Sequence, residues 1–339
     1  MSREHALSVA VFGAGAFGRN HLRVYRQLEH SGFGIHLAAV ADTDPAATAE
    51  LRRQADILVF SSPEECLEAC RAGKLHLDAV SICVPTSAHY AVAGQALAQG
   101  LDVLVEKPIA ATLAEADALV AQAAAGGRIL QVGLLERFNP AVTAAEALVN
   151  GPMFFEAHRL SVFHRRALDV DVVLDLMIHD LDIVLSFVRS PVRQVHAVGL
   201  KILSPKVDIA NVRLEFASGC VANFTASRVS TETVRKLRFF QPHQYLSIDY
   251  ARQDLLIINL APQPSSGGQA SLASAASLVA SKPTVEGGEP LLLEIQAFLE
   301  SVRTRTPPRV RPQQARDALA LALEVNQAIQ AHAAGAGLL

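Results

Sequence analysis

Three groups of residues carry types and spacings that could do chemistry together. The first is Gly13-Ala14-Gly15-Ala16-Phe17-Gly18, which breaks an apolar run over 7–12 and opens a helical pattern reaching about Leu28. In such a turn Gly13 permits the tight passage from strand to helix, and Gly15 lets the backbone approach a pyrophosphate. Gly18 lets the helix pack close to the strand. The helix start then presents unpaired N–H groups and a positive dipole end to phosphate. A GxGxxG run alone is a weak signal, because turns are rich in glycine. Here the next apolar run, Leu37–Ala41, ends at Asp42, 24 residues beyond Gly18, against the roughly 20 expected of a ribose-binding acid. Asp42 can accept from both ribose hydroxyls of NAD but repels a 2′-phosphate. Thr43 and Asp44 follow it, and no Arg is expected nearby to neutralise such a phosphate, so NAD is expected over NADP.

The second group, Glu106-Lys107-Pro108, follows an apolar run over 101–105, at the carboxyl end of a strand where open α/β sheets take ligands. Lys107 could donate to a substrate oxygen; it could equally be a surface lysine before a loop. The third group is Asp175 and His179, four residues apart beside an apolar stripe of Leu174, Ile178, Leu181 and Leu185. A carboxylate beside an imidazole orients it and supports its protonated form, which suits a base that takes a hydroxyl proton. The alternative is a solvated polar helix face.

The elements that must position these groups divide into two patterns. Short apolar runs at 7–12, 37–41, 57–60, 79–84, 103–105 and 129–132 alternate with helical segments, which predicts a parallel sheet covered on both faces. After Gly151-Pro152 the runs lengthen and alternate, as where Val212, Leu214 and Phe216 interleave with Asn211, Arg213 and Glu215. That pattern predicts a mostly antiparallel sheet. The fold class expected is therefore α/β: a Rossmann doubly wound domain over 1–133, and an α+β substrate and oligomerisation domain over 134–339. A helix at about 170–188 carries Asp175 and His179, and two more, at about 289–304 and 312–332, close the chain. Between them 263–288, rich in Ser, Gly and Ala, reads as a mobile excursion around a short strand at 277–280.

Composition narrows the classes. The chain has 339 residues, 50% hydrophobic and 19% charged, with a net charge of −3 and no dense run of Lys and Arg, which argues against nucleic acid. Cys66, Cys70, Cys83 and Cys220 form no CxxC pair and stand at no zinc spacing, so they read as small buried thiols in a reducing compartment, and no metal site is expected. The start, Met1-Ser-Arg-Glu-His5, shows no signal peptide, and no uncharged run is long enough to span a bilayer. A cytoplasmic protein without membrane insertion is expected.

Taken in order, Gly13-x-Gly15-x-x-Gly18, Asp42, Glu106-Lys107-Pro108, Asp175-x-x-x-His179 and the ending Gly288-Glu-Pro-Leu-Leu-Leu-Glu-Ile-Gln-Ala-Phe-Leu299 resemble the Gfo/Idh/MocA oxidoreductases over nearly the whole chain. The resemblance implies NAD as cofactor and Lys107, Asp175 and His179 around the reacting carbon. It also implies that Gly13, Gly15, Ala16, Phe17, Gly18, Asp42, Val84, Pro85, Thr86, His89, Glu106 and Lys107 line the cofactor, and that the protein is a homo-dimer or homo-tetramer. Gly133-Leu-Leu-Glu-Arg-Phe-Asn-Pro-Ala141 and 172–182 further resemble the branch that oxidises the 3-hydroxyl of UDP-N-acetylglucosamine. In that branch the 3-keto sugar goes to an aminotransferase in bacterial lipid A biosynthesis. Members often carry His where this chain has Leu134 or Leu135. Arg137, Asn139, Arg159, His164, Arg165 and Arg166 offer groups to a UDP-sugar, since Arg suits bidentate oxyanion binding. The resemblance favours Arg137, Asn139 and Arg165, with Lys107, Asp175 and His179, as substrate contacts. A dehydrogenase of another polyol or sugar, such as an inositol or a hexose, is the alternative within enzymes. A non-catalytic dinucleotide sensor of the same fold is the alternative outside them.

Overall fold

The computed structural model describes residues 6–54, 56–163, 170–260 and 278–337. Two compact units emerge: one spans the chain up to Leu135 together with Glu289–Leu319, the other Glu136–Gly288 and Ala320 onward.

The first unit alternates strand and helix throughout its N-terminal part. Its order is β1 (Leu7–Phe12), α1 (Ala16–His30), β2 (Ile35–Ala41), α2 (Pro45–Gln54), β3 (Leu58–Phe60), α3 (Pro63–Arg71) and β4 (Ala79–Ile82). Then come α4 (Thr86–Ala98), β5 (Asp102–Glu106), α5 (Leu113–Ala125) and β6 (Leu130–Gly133). Residues Val9–Phe12 and Val103–Val105 are fully buried without alternation, as strands covered on both faces require. Every pair is parallel, and the spatial order is β3-β2-β1-β4-β5-β6. The order reverses between β1 and β4, and at that point the carboxyl ends open a crevice for a ligand. Local signals agree with the helix starts: Ser62 caps α3, and Thr112 with Glu115 forms a capping box on α5.

The second unit begins with a short 3₁₀ turn ending at Phe138, then α6 (Pro140–Glu146) and β7 (Phe154–Leu160). A π turn at Val173–Met177 runs into α7 (Ile178–Val188). Seven strands follow: β8 (Val192–Leu200), β9 (Ile209–Phe216), β10 (Val221–Ser227), β11 (Val234–Gln241), β12 (Gln244–Asp249), β13 (Asp254–Leu260) and β14 (Leu278–Ser281). The sheet order is β14-β13-β12-β11-β7-β10-β9-β8, antiparallel except for the β7–β10 pair. In β9, Val212, Leu214 and Phe216 are buried while Asn211 and Arg213 are exposed, which is the alternation the sequence shows. The expected excursion at 263–288 lies outside the described residues over 261–277; β14 stands where a short strand was expected.

The chain ends with α8 (Pro290–Thr304) and α9 (Pro312–Gly335). Leu291, Ile295, Phe298, Leu299 and Val302 of α8 join Val9, Val11, Tyr25 and Leu28 in the core of the first unit. Helix α9 starts in the first unit and continues into the second, the division falling after Leu319.

One element departs from expectation in kind. The helix over 170–188 is not a single α-helix. Asp171 accepts hydrogen bonds from the Val173 and Leu174 N–H groups through Oδ1, at 2.9 and 3.0 Å, and from Asn326 through Oδ2 at 2.9 Å. Arg228 donates to the Val170 carbonyl and the Val172 N–H to the Val207 carbonyl. With its start tied down in this way, the helix takes up one wide turn, in which Ile178 donates to Val173 five residues back. An apolar stripe does not register one extra residue per turn.

Candidate active site

The three glycines of the first motif do different work. Gly13 has φ +92°, and a Cβ there would stand 2.6 Å from the Cys83 carbonyl. A Cβ on Gly18 would collide with the Gly13 carbonyl oxygen. The fold itself demands glycine at both places. Gly15 has φ −64°, and a Cβ there would meet nothing within 4 Å. The protein supplies no reason for glycine at 15, so the space in front of it is where a ligand's backbone contact fits. Gly15 is the N-cap of α1, with no side-chain cap and no acid in the first turn, and Ala16 and Phe17 are exposed beside it. The first N–H groups of α1 therefore remain available to a phosphate.

Asp42 lies at the end of β2, where Oδ2 accepts from the Ala14 N–H and Oδ1 from the Asp44 N–H at 2.7 Å. This brings the Asp42 carboxylate against the glycine turn. The expectation that no Arg lies near Asp42 is corrected. Arg19, one turn into α1, feels the charges of Asp42 and Asp44, but its guanidinium is engaged by Glu50 at 2.7 and 3.2 Å. The pairing escapes a sequence reading because 31 residues separate the partners. The charge of Arg19 is thus met by Glu50.

Val84, Pro85 and Thr86 follow β4 at the same end of the sheet, half-buried or exposed. His89 does not share their exposure. It is 1% exposed, with Nδ1 at 2.8 Å from the Pro108 carbonyl and Nε2 at 2.9 Å from the Val84 carbonyl. Burial lowers its pKa. Its side chain joins the loop after β4 to the one after β5. Glu106 ends β5 and Lys107 follows it, both half-buried, and the Lys107–Pro108 peptide is cis.

In the second unit Asp175 lies within the π turn and His179 in the first turn of α7, both half-buried. Beneath them the helix is buried on more than its apolar stripe: Asp180 and Asp182 are each 2% exposed. Asp182 accepts from Arg137 Nε at 2.8 Å, and Arg159 pairs with Asp180. Burial raises the Asp182 pKa against the opposing pull of Arg137. Arg159 holds its proton despite burial, because Asp180 and Glu136 raise its pKa.

These pairs give three residues of the expected substrate set partners inside the unit. Arg137, 5% exposed, is a counter-ion of α7. Asn139, 2% exposed, caps α6 by accepting from the Ala141 N–H, and its amide donates to Glu136 and to the Tyr250 carbonyl. Arg159 is likewise interior. Their hydrogen bonds fasten the unit together. His164, Arg165 and Arg166 lie outside the described residues.

A concavity of about 700 Å³ in the first unit lies elsewhere. Leu7, Asp78, Asp102, Arg128 and Arg305 line it, at the amino ends of β1, β4 and β5, opposite to Gly13 and Lys107. Among the described residues, no group of three or more His, Cys, Asp or Glu could hold a metal ion, and no helix is long and apolar enough to cross a membrane.

Comparison with known proteins agrees with this layout. Residues 7–134 match a family model described as the Gfo/Idh/MocA oxidoreductase family, NAD-binding Rossmann fold, and 141–240 match its C-terminal domain. A UDP-N-acetylglucosamine 3-dehydrogenase of Acidithiobacillus ferrooxidans is 33% identical over 96% of this chain and 98% of its own. A solved structure of that enzyme superposes with a TM-score of 0.84, at 32% identity over 96% and 98% of the two chains. A scyllo-inositol 2-dehydrogenase (NAD(+)) of Bacillus subtilis is 29% identical over 67% of this chain and 69% of its own.

Proposed function

The chain belongs to the Gfo/Idh/MocA family of NAD-binding oxidoreductases, and from that premise we propose that it oxidises the 3-hydroxyl of UDP-N-acetylglucosamine to a ketone. The observation that carries the choice of substrate is near-complete coverage. The relative named for this reaction matches 96% of the chain, whereas the inositol relative matches 67%.

The first unit fits the cofactor on its own features: an open position at Gly15, an uncapped helix start, and the Asp42 carboxylate beside the turn. When bound, NAD supplies the hydride acceptor. His179 takes the proton of the 3-hydroxyl as the C3–H bond breaks, leaving a C=O bond. Asp175 supports the resulting imidazolium, and Lys107 donates to the oxygen on which charge develops. Val84, Pro85 and Thr86, at the carboxyl end of β4, would help hold the cofactor. Arg165, just ahead of the catalytic helix, remains a candidate for the diphosphate.

The reading extends to context. An aminotransferase that turns the 3-keto sugar into a 3-amino sugar for lipid A is the consumer of this product. NAD and nucleotide sugars are cytoplasmic pools, and the protein works there. A homo-dimer or homo-tetramer is supported by the half-exposed apolar side chains of the second sheet, including Val198, Leu200 and Phe240.

The test is the absorbance of reduced nicotinamide on mixing the protein with NAD and UDP-N-acetylglucosamine. A 2-oxoacid or aminotransferase trap with mass analysis of the product covers an unfavourable equilibrium. Formation of NADH, or of a 3-keto or trapped 3-amino UDP-sugar, supports the assignment. Turnover of inositols or free hexoses with none of UDP-sugars selects a polyol dehydrogenase instead. Tight NAD binding without turnover of any sugar selects a sensor.

A further inference from the structure

We propose that His21 is a positioning residue for the reaction, fixing the Glu106 carboxylate and through it Lys107; the inference rests on Lys107 serving the chemistry as described above. His21 stands on the buried side of α1, three residues beyond Gly18, and is fully buried. Its Nε2 lies 3.0 Å from Glu106 Oε1, while its Nδ1 has no partner. That pattern puts the ring proton on Nε2, pointing at the carboxylate.

The carboxylate is moulded from a second side. Glu106 and Gly133 are register partners at the ends of β5 and β6, and a Cβ at 133 would stand 2.5 Å from Glu106 Oε1. The carboxylate thus fills the place of the side chain that residue 133 lacks. A third group looks inward from α8. Glu294 is fully buried, and neither of its carboxyl oxygens has a partner. Burial, then the charge of Glu106, raises its pKa, which favours the protonated form of Glu294.

The arrangement also reaches the open side of the motif. The Phe17 ring meets the His21 ring edge to face at 5.4 Å and is itself 38% exposed beside Gly15. One buried imidazole therefore touches both the residue next to the glycine turn and the residue next to Lys107. A histidine kept for packing alone has no need of an ionisable partner at the catalytic end of a strand.

The experiment compares His21→Leu, His21→Gln and Gly133→Ala in the full chain, with Lys107→Ala as control. The readouts are kcat and KM for UDP-N-acetylglucosamine, the Kd for NAD, and Tm. His21→Leu is expected to lower kcat about 10- to 100-fold, the scale of a small misplacement of a reacting group, with little change in either binding constant. His21→Gln, whose amide N–H reaches the position of Nε2, should recover most of that loss. Gly133→Ala, which displaces the carboxylate without touching His21, should reproduce it. Wild-type kcat in His21→Leu and Gly133→Ala, with Lys107→Ala inactive, overturns the positioning role alone. An active Lys107→Ala overturns the reading of Lys107 on which it rests. A fall in kcat that tracks Tm equally in all three variants, with no recovery in His21→Gln, reduces His21 to packing and also overturns the proposal.

Discussion

Arg159 sets Nε and Nη2 on the two carboxylate oxygens of Asp180, at 2.8 and 2.9 Å, while its Nη1 reaches Glu136 at 2.9 Å. The guanidinium also lies over the Tyr250 ring, 4.9 Å from its centroid. One side chain from β7 thereby holds the helix of His179 and the turn before α6. Removing one partner of a buried ion pair leaves the other charge uncompensated. Arg159→Met is expected to lower unfolding free energy by about 3–5 kcal/mol, read from urea denaturation. Adding Asp180→Leu should restore part of it. A single variant as stable as wild type would show that the pair does not hold the unit.

The glycine turn offers a separable pair of tests. At Gly13, with φ +92° and the Cys83 backbone 2.6 Å from any Cβ, Gly13→Ala meets both strain and collision. A loss of stability on the order of 1–3 kcal/mol follows from the strain alone. Gly15→Ala meets no protein atom, so Tm should hold while the Kd for NAD rises. Fluorescence titration of NADH alongside thermal unfolding reads both. Equal NAD affinity in wild type and Gly15→Ala would remove the close backbone approach from the account.

Much of this was legible in the sequence, for a physical reason. Continuous apolar runs such as Val9–Phe12 and alternating ones such as Ile209–Phe216 carry burial in their periodicity, and glycine spacing carries the turn. Buried charge does not announce itself in that way. Arg137 and Arg159 read as ligand contacts, because a lone chain does not show that Asp182 and Asp180 wait at burial distance on α7. Some signals were present but assigned elsewhere. Asn139-Pro140 is a helix start, cap and first residue, and Asn139 does cap α6. His21 sits among buried Leu22, Val24 and Tyr25 on α1, where an ionisable residue calls for a partner. The π turn left no trace, since its cause lies in Asp171, Asn326 and Arg228, far apart in sequence.

His179→Ala should lower kcat by roughly 10²- to 10⁴-fold, the range of a lost general base, with the NAD Kd nearly unchanged. Lys107→Ala should weaken both turnover and sugar binding. Steady-state kinetics with NAD titrations separate them. A fall in NAD affinity matching the fall in kcat for His179→Ala would argue against its role as base.

Glu294 makes a pH prediction whose sign is fixed by its burial. Its folded pKa is raised above the ordinary carboxylate value, so the folded state holds this proton more tightly than the unfolded chain. The associated stability is complete below the unfolded pKa of about 4.3 and is lost progressively as pH rises toward the folded value. Glu294→Gln, which resembles the protonated acid, escapes that loss. The Tm of the variant minus that of wild type should therefore grow as pH is raised from acid to neutral. A difference that stays flat across that range would mean Glu294 ionises without penalty.

The 700 Å³ hollow at the amino ends of β1, β4 and β5 bears on inhibitor discovery. A screen drawn to this hollow works at the end of the sheet away from the glycine turn. Fragments that lodge between Arg128 and Arg305 leave the glycine turn uncovered, so they should raise melting temperature without displacing NADH. Competition with NADH, more than thermal shift, is the criterion that separates hits at the catalytic end from hits beneath it.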